Sequence, residues 1–220
     1  MKILEIGCGN SVFWKNTLER LPRDLDIYLT DYSVGMLEKS KKIIEDNEKI
    51  IERKNIKFHF AKKDANDFYT NEGDYDLIIA NHMLYYVENK SKLFENIKQL
   101  LADDGKFCCT TVGDNHMIEL RNFVKKFDKN IEIPKIDFTL ENGEEQLNTF
   151  FSDIILYKHE NNLVVNDIDA IYNYVYSYSE KAAEVLECKK KEFYSKVSQL
   201  TDKDDGMFIH KSTGMFVCKK

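Results

Sequence analysis

Short apolar segments alternate with longer amphipathic ones through the first half of the chain. The short segments are Lys2–Ile6, Asp26–Thr30, Ile56–Phe60, Tyr75–Ala80 and Lys106–Thr111. Their length and apolar content are typical of strands that are buried on both faces of a parallel sheet. Apolar residues at helical spacing occupy the longer segments, over about Ser33–Ile51, Lys90–Leu101 and His116–Phe127. This alternation predicts a doubly wound α/β sheet.

The second half loses this alternation, and its pattern predicts a helical insertion. Asn142–Phe151 has the spacing of a short helix, and Ile154–Glu160 has that of a strand. Residues from about 161 to 206 are mostly helical in pattern and rich in charge. We expect a single domain over residues 1–220, in which the 161–206 insertion serves as a lid on the sheet.

Two turn signals mark the ends of predicted strands. Gly105 follows Asp103 and Asp104, which indicates a turn that ends one helix before the next strand begins. Met207–His210 and Met215–Lys219 flank the sequence Ser212-Thr213-Gly214, and this arrangement is typical of a β-hairpin. The chain is therefore expected to finish as two antiparallel strands.

Composition narrows the class of protein. The 220 residues are 43% apolar, which suffices for a core, and the net charge of -6 disfavours a nucleic-acid binder. The five cysteines show no Cys-x-x-Cys spacing, so we expect a reduced protein with no bound metal. The sequence shows no apolar run of membrane-spanning length and no signal-peptide pattern, which favours a cytoplasmic protein.

The first predicted strand ends in the most informative motif of the chain, Glu5-Ile6-Gly7-Cys8-Gly9-Asn10. Glycines in such a turn let the backbone approach a ligand, because they lack a Cβ and tolerate positive φ. The dinucleotide fingerprint has a third glycine where Val12 stands, so a nicotinamide cofactor is disfavoured. An acidic residue before the glycines also suits an ammonium group better than a pyrophosphate.

Polar residues follow the next predicted strands, at the same edge of the sheet. Asp31 follows the second strand, where a carboxylate can accept hydrogen bonds from both hydroxyls of a ribose, or can begin a helix. Asp64 follows the third strand, where it either reaches an adenine amino group or serves as a turn residue. Asn81, His82 and Met83 follow the fourth strand and are expected to face the same crevice.

These motifs together resemble the class I S-adenosylmethionine-dependent methyltransferases, in the small-molecule branch called type 11. The matching segments are Ile3–Gly9, Leu29–Leu37, Asp64–Ala65, Tyr75–Tyr85 and Leu100–Lys106. The resemblance covers about residues 1–112 and, more loosely, the terminal hairpin. It implies a Rossmann-like mixed seven-stranded sheet with an antiparallel C-terminal hairpin. It also implies S-adenosyl-L-methionine as the cofactor and S-adenosyl-L-homocysteine as its product.

The resemblance implies roles for the residues that match the family's motifs at the end of the first strand. Glu5, Gly7 and Gly9 would surround the amino-acid part of the cofactor. Cys8 and Asn10 belong to the same turn and are expected to bind the cofactor with it.

The later strand ends would hold the nucleoside part of the cofactor. The resemblance implies that Asp31 binds the ribose hydroxyls. Tyr32 and Met36 would pack on the adenine, and Asp64 and Ala65 would contact its edge.

Residues beside the sulfonium would select the methyl acceptor. The resemblance implies that Asn81 lines the floor of the site there. The sequence Asn81-His82-Met83-Leu84 departs from the Asn/Asp-Pro-Pro-Tyr/Phe motif that family members use on nucleobase or glutamine amino groups, which favours a different acceptor. His82 and His116 are candidates for a base, and the alternative for each is a hydrogen bond that fixes the local backbone.

Two other functions stay open beside methyl transfer. One is a non-catalytic scaffold that binds a nucleoside cofactor, and the other is a nicotinamide-dependent oxidoreductase on a related sheet. Trp14, Tyr85 and Tyr86 fit either the wall of an acceptor pocket or an ordinary core.

Overall fold

The computed structural model describes residues 1–201 and 206–220. It contains two compact units, of which the first comprises Met1–Thr111, Leu140–Tyr157 and Gly214–Lys220, and the second comprises Val112–Thr139 and Lys158–Thr213. The predicted insertion over residues 161–206 falls in the second unit. Its residues 202–205 lie outside the described residues. The expectation of one domain with a lid stays a prediction.

The described residues form a mixed sheet of seven strands. These are β1 Lys2–Ile6, β2 Leu25–Asp31, β3 Ile56–Lys62, β4 Tyr75–Asn81, β5 Leu101–Val112, β6 Ser152–Val165 and β7 Met207–Lys219. Their order is β3-β2-β1-β4-β5-β7-β6, in which β1 to β5 are parallel and the last two strands are antiparallel. The predicted doubly wound, Rossmann-like α/β fold with an antiparallel C-terminal pair is confirmed.

Helices connect the strands in both units. Those of the first unit are α1 Val12–Thr17, α2 Val34–Glu45, α3 Glu48–Lys54, α4 Lys90–Leu100 and α6 Gly143–Asn148, and those of the second are α5 Ile118–Phe127, α7 Ile168–Tyr176, α8 Glu180–Cys188 and α9 Lys190–Thr201. In the part of the chain that the structure describes, each helix is too short or too polar to cross a lipid bilayer.

The core of the first unit forms where helices cover the parallel strands. Ile27 and Leu29 of β2 are fully buried and pack with Trp14 of α1. Leu37 and Ile44 lie seven residues apart on α2, so both face this cluster. Burial of such side chains, at about 25 cal/mol per Å² of apolar surface, is the main force that holds the strand ends in place.

The second unit has a core of its own. Leu120, Val124 and Phe127 lie on one face of α5 and pack with apolar residues of α7, α8 and α9. Ile171 and Val175 are one turn apart on α7 and belong to the same cluster. The apolar residues at helical spacing in the predicted helix His116–Phe127 are therefore the residues of α5 that pack in this core.

The helix predicted over Ser33–Ile51 is divided into α2 and α3. Asn47 ends the first helix, because its side-chain Nδ2 donates to the carbonyl oxygen of Ile43 over 2.7 Å and its own backbone is not helical. Asparagine commonly competes with the helix in this way, since its amide can bond to nearby backbone groups.

The turn predicted at Gly105 is wrong in position, because β5 begins at Leu101 and Gly105 lies inside that strand. Pairing with β4 moves from Tyr75 opposite Leu101 to Leu77 opposite Lys106, so a bulge holds the residues between. A Cβ on Gly105 would lie 2.7 Å from the carbonyl oxygen of Tyr75. The glycine is therefore a packing requirement of the bulge.

The turn predicted at Ser212–Gly214 is also wrong, because Met207–Lys219 is one continuous strand. Gly214 serves close packing instead, since a Cβ there would lie 2.8 Å from the Tyr157 carbonyl oxygen. The antiparallel pair consists of β6 and β7, which α7, α8 and α9 separate in sequence. Strand β6 extends to Val165, so the start of the predicted helical insertion is strand.

We predict that Gly105→Ala destabilises the protein by about 2 kcal/mol, because the added Cβ overlaps backbone atoms that cannot move independently. Gly73→Ala is the matched control, since no atom lies within 4 Å of a Cβ at that position. It should change stability by less than about 0.5 kcal/mol. Urea unfolding of the two variants measures both effects, and equal stabilities would contradict the bulge assignment.

Candidate functional site

A cavity of about 560 Å³ opens at the carboxyl ends of β1 to β4 in the first unit. It is lined by Ile6, Gly7, Gly9, Asp31, Tyr32, Lys63, Asp64, Ala65, Asn66, Asn81, His82, Met83, Tyr86 and Val87. Ligands of doubly wound sheets bind at this edge, where the connections after neighbouring parallel strands leave a crevice. The volume is within the range of cofactor and small-molecule pockets.

The glycine turn after β1 forms one wall of the cavity. Gly7 and Gly9 have φ values of 72° and 56°, which residues with a Cβ rarely adopt. A Cβ on Gly7 would lie 3.0 Å from Cγ of Met83, whereas a Cβ on Gly9 would meet no atom within 4 Å. Gly7 therefore permits close packing inside the protein, and Gly9 leaves open space on the ligand side.

Asp31 lies at the end of β2 and fixes the loops on either side of it. Its Oδ2 accepts a 2.8 Å hydrogen bond from the backbone N–H of Gly9, and its Oδ1 accepts one of 2.8 Å from that of Ser33. The hydroxyl of Ser33 in turn accepts from the N–H of Met36 and caps α2. One carboxylate thus orients both the glycine turn and the start of the next helix.

The wall after β3 is held by a pair of polar side chains. Oδ1 of Asp64 accepts from the backbone N–H of Asn66 over 2.9 Å, the arrangement of an Asx turn. Oδ1 of Asn66 accepts from the N–H of Glu88 over 2.8 Å. These contacts join the connection after β3 to the connection after β4, so the cavity has a defined width between them.

A buried acid lies behind the cavity. Glu5 is 2% exposed, and its carboxylate accepts hydrogen bonds from Nε1 of Trp14 and, over 2.9 Å, from Nδ2 of Asn81. Burial raises the pKa of Glu5 to about 7, against the two hydrogen bonds, which lower it, and the charge of Asp31 adds to the rise. The pKa of the Glu5 carboxyl group therefore lies close to neutral pH.

His82 lines the cavity in a left-handed backbone conformation, with φ of 50°. Its N–H donates to the backbone oxygen of Thr110, at 3.1 Å, and lies at the same distance from the hydroxyl of Thr110. That hydroxyl also donates to Oδ1 of Asn81 over 3.2 Å. Thr110 therefore orients both Asn81 and His82.

The structure brings together most of the residues predicted to bind a cofactor. Those that line the cavity are Gly7, Gly9, Asp31, Tyr32, Asp64, Ala65 and Asn81, together with the candidate base His82. For Tyr86, the sequence is compatible with either a pocket wall or a core position. In the structure Tyr86 lines the cavity and is 74% exposed. Trp14 is a core residue and contacts Glu5.

Other predicted residues do not line this cavity. Glu5 lies behind Asn81, Cys8 packs in the core of the first unit, and Asn10 and Met36 are exposed beside the turn and on α2. Burial raises the pKa of the Cys8 thiol to about 12, which does not favour a reactive thiolate. His116 belongs to the second unit, where its Nδ1 lies 3.0 Å from the backbone oxygen of Ser212. Its catalytic role stays a prediction.

Sequence reasoning missed several residues of the cavity. Lys63 and Asn66 flank the predicted pair Asp64-Ala65, and Val87 follows Asn81 six residues later. The signal that could have found them is proximity to a strand end, since connections after parallel strands form the crevice. The hydrogen bond between Asn66 and Glu88 carried no signal in the sequence, because 22 residues separate the two.

A family model described as a methyltransferase domain matches residues 1–153. The match covers more than half of the chain and includes all strands that surround the cavity. The chain belongs to this methyltransferase family. The resemblance to the class I S-adenosylmethionine-dependent methyltransferases is confirmed, and with it the methyltransferase function is favoured over a nicotinamide-dependent oxidoreductase.

Two similar proteins come from Ilyobacter polytropus. Malonyl-[acyl-carrier protein] O-methyltransferase 1 is 28% identical over 165 residues, which cover 72% of this chain and 58% of that protein. Malonyl-[acyl-carrier protein] O-methyltransferase 2 is 30% identical over 145 residues, which cover 66% of this chain and 52% of that protein. The chain thus spans little more than half the length of these relatives.

Solved structures share the fold at low sequence identity. The YcgJ protein of Bacillus subtilis matches with a TM-score of 0.62 and 12% identity, over 100% of this chain and 92% of that one. Phosphoethanolamine N-methyltransferase 2 of Haemonchus contortus, solved with phosphomonomethylethanolamine and S-adenosylhomocysteine, matches with a TM-score of 0.58 and 16% identity. That match covers 100% of this chain and 48% of the Haemonchus contortus protein, and it shows the fold alone.

We predict that Glu5 makes stability decrease as pH rises. Its folded pKa of about 7 exceeds the ordinary value of 4.5, so the folded state binds the proton more tightly, and this advantage is lost as pH rises through 7. Relative to Glu5→Gln, the unfolding free energy of the wild type should fall by about 3 kcal/mol from about pH 4 to about pH 8.

Urea unfolding at a series of pH values measures this difference. Glu95→Gln, which removes an exposed carboxyl group on α4, serves as the control for a loss of one acid. Parallel pH curves for the wild type and Glu5→Gln would contradict the raised pKa.

Proposed function

We propose that the chain transfers a methyl group from S-adenosyl-L-methionine, held in the cavity at the ends of β1 to β4, to a small-molecule acceptor. The proposal rests mainly on the position of Asp31, because its carboxylate lines the cavity between the glycine turn and the start of α2. Membership of the methyltransferase family supports the same assignment. The alternative of a scaffold without turnover predicts binding of the cofactor and no methyl transfer.

The donor and acceptor groups of the cavity fit the nucleoside part of this cofactor. Each Asp31 oxygen accepts one backbone hydrogen bond, which leaves it further capacity for a ribose hydroxyl. Tyr32, Ala65 and Val87 provide apolar surface for the adenine. Asp64 uses Oδ1 in its turn, and its carboxylate keeps acceptor capacity for the adenine amino group.

The glycine turn fits the amino-acid part. The open space beside Gly9 would be filled by any larger residue, and the turn exposes backbone to a ligand there. Asp31 lines the cavity, and Glu5, when ionised, lies behind Asn81. The negative charge of these carboxylates suits the ammonium and sulfonium groups of the cofactor. We assign Cys8, Asn10 and Met36 supporting roles beside the site, because they do not line it.

S-adenosyl-L-methionine supplies an electrophilic methyl group when bound, so the protein mainly aligns the reactants and excludes water. Met83 and Val87 are buried and close the cavity on the side of β4. Glu5 and Thr110 hold the amide of Asn81 from both of its ends, so its orientation at the cavity is fixed. Such fixed groups cost little reorganisation when the methyl group moves.

The names of the relatives suggest the first acceptor to test. Two of them are malonyl-[acyl-carrier protein] O-methyltransferases, and the acceptor of such an enzyme is an oxygen of a malonyl group. We propose a small carboxylate carried on an acyl thioester as the acceptor class. A carboxylate is already ionised at neutral pH, so its methylation needs no base.

We propose that His82 takes a proton only from acceptors that must lose one. His82→Gln should then change the rate with a malonyl thioester by less than about 3-fold, because no proton is removed. With a phenol or an amine acceptor the same variant should lose about 100-fold in rate. Release of S-adenosylhomocysteine measures both rates, and an equal effect on the two acceptor classes would contradict this role.

The cofactor assignment is tested by Asp31→Ala. We expect the affinity for S-adenosylhomocysteine to fall by about 10-fold to 100-fold, because two charge-assisted hydrogen bonds to the ribose are lost. Asp67→Ala is the control, since Asp67 is exposed, pairs with Lys92 and does not line the cavity. Thermal unfolding with increasing ligand measures the affinities. An undiminished affinity in Asp31→Ala, or an equal loss in both variants, would overturn the assignment.

We propose a cytoplasmic location and no nucleic-acid partner. The support for the location is that the described cysteines are free thiols, which persist in a reducing compartment. The support against a nucleic-acid partner is the net charge of -6.

A further inference from the structure

A second cavity, of about 470 Å³, lies in the second unit. It is lined by Gly113, Asp114, Arg121, Lys125, Lys129, Ile131, Ile133, Pro134, Lys135, Ile136 and Thr139. Four of these side chains are cationic, and Asp114 is the acidic member of the lining. None of these residues takes part in the cavity at the ends of β1 to β4, so the methyl-transfer site does not account for them.

The basic side of the cavity follows from the packing of α5. Leu120 and Val124 of this helix face the core of the second unit. Arg121 and Lys125 are one turn apart and line the cavity, and Lys129 follows four residues later, beyond the end of the helix. Like charges at this spacing repel each other, so the arrangement costs free energy unless an anion lies between them.

The residues that the structure describes supply little compensation for these charges. Among residues 1–201 and 206–220, no ion pair or side-chain hydrogen bond involves Arg121, Lys125, Lys129 or Lys135. The neighbouring carboxylate of Asp128 is engaged by Lys189 over 2.7 Å. Acidic residues outnumber basic ones in the chain, 38 to 32, so a cavity with four cations departs from its average charge.

The rest of the lining is apolar. Ile131 is buried and belongs to the core, whereas Ile133 and Ile136 are partly exposed at the cavity beside Pro134. A simple ion such as phosphate would contact the cations and leave this apolar surface in water. A ligand with an anionic group on an aliphatic body would use both parts of the lining.

We propose that this cavity binds a small molecule in which a carboxylate or a phosphate is attached to an apolar body. The anionic group contacts Arg121, Lys125, Lys129 and Lys135, and the apolar body lies on Ile133, Pro134 and Ile136. The two head groups share the recognition chemistry of a negative charge among lysine and arginine donors. The proposal goes beyond the methyl-transfer function and does not depend on the identity of the acceptor.

The probes are hexyl phosphate, hexanoate, inorganic phosphate and hexyltrimethylammonium, titrated calorimetrically into the full chain. We expect hexyl phosphate or hexanoate to bind at least about 10-fold more tightly than the cationic analogue and than inorganic phosphate, because only these two satisfy both parts of the lining. The preferred head group identifies the source as a phosphate ester or a carboxylic acid. Binding should weaken when the salt concentration is raised, since the attraction is electrostatic.

Adjacent lysines on α5 provide a matched pair of variants. Lys125→Gln should weaken binding of the preferred probe about 10-fold, because it removes a cation from the cavity. Lys126→Gln makes the same charge change, but Lys126 lines a different depression with Glu119 and Asn122, so affinity should stay within about 2-fold. Unaltered affinity of both variants for S-adenosylhomocysteine shows that the first unit is intact.

Three results would overturn the proposal. They are no anion binding at millimolar concentration, equal binding of hexyltrimethylammonium, or equal losses in Lys125→Gln and Lys126→Gln. If S-adenosylhomocysteine still binds in those cases, the proposed methyltransferase function stands and only this inference fails.

Discussion

The carboxylate of Asp31 ties together two connections that the parallel sheet leaves at one edge. It accepts hydrogen bonds of 2.8 Å from the backbone of Gly9 and of Ser33, so the end of β2 fixes both the turn after β1 and the start of α2. In parallel strands all carboxyl ends lie at one edge, which is why a single side chain can organise both loops. The shape of the cavity and the proposed ribose contact both depend on this carboxylate.

A second set of contacts, which orients Asn81, lies behind the cavity. Glu5 is withdrawn from the cavity and bonded to Trp14 and Asn81, while Thr110 holds the other end of the Asn81 amide. Burial of a carboxyl group costs free energy, and the raised pKa of Glu5 reports that cost. The acidic residue of the opening motif therefore acts on the site by orienting Asn81 and by its charge, rather than by lining the cavity.

The sequence predicted the parallel half of the sheet well, because buried strands are continuous apolar runs and the site residues follow directly after them. Lys2–Ile6 is a strand over the predicted bounds, and Asp31, Asp64 and Asn81 line the cavity as expected. The errors at Gly105 and Gly214 share one cause. Local sequence predicts a turn at each glycine, whereas in both positions the glycine permits close approach of neighbouring backbone inside or beside a strand. Such contacts are not encoded in local spacing, and neither is the link from Asn66 to Glu88.

We propose that the cavity around Asp31 holds a sulfur-containing nucleoside cofactor rather than a dinucleotide. Calorimetric titration of the full chain with S-adenosylhomocysteine, and separately with NADH, distinguishes the two. We expect saturable binding of one S-adenosylhomocysteine per chain and no detectable binding of NADH at the same concentrations. Binding of NADH without binding of S-adenosylhomocysteine would contradict it.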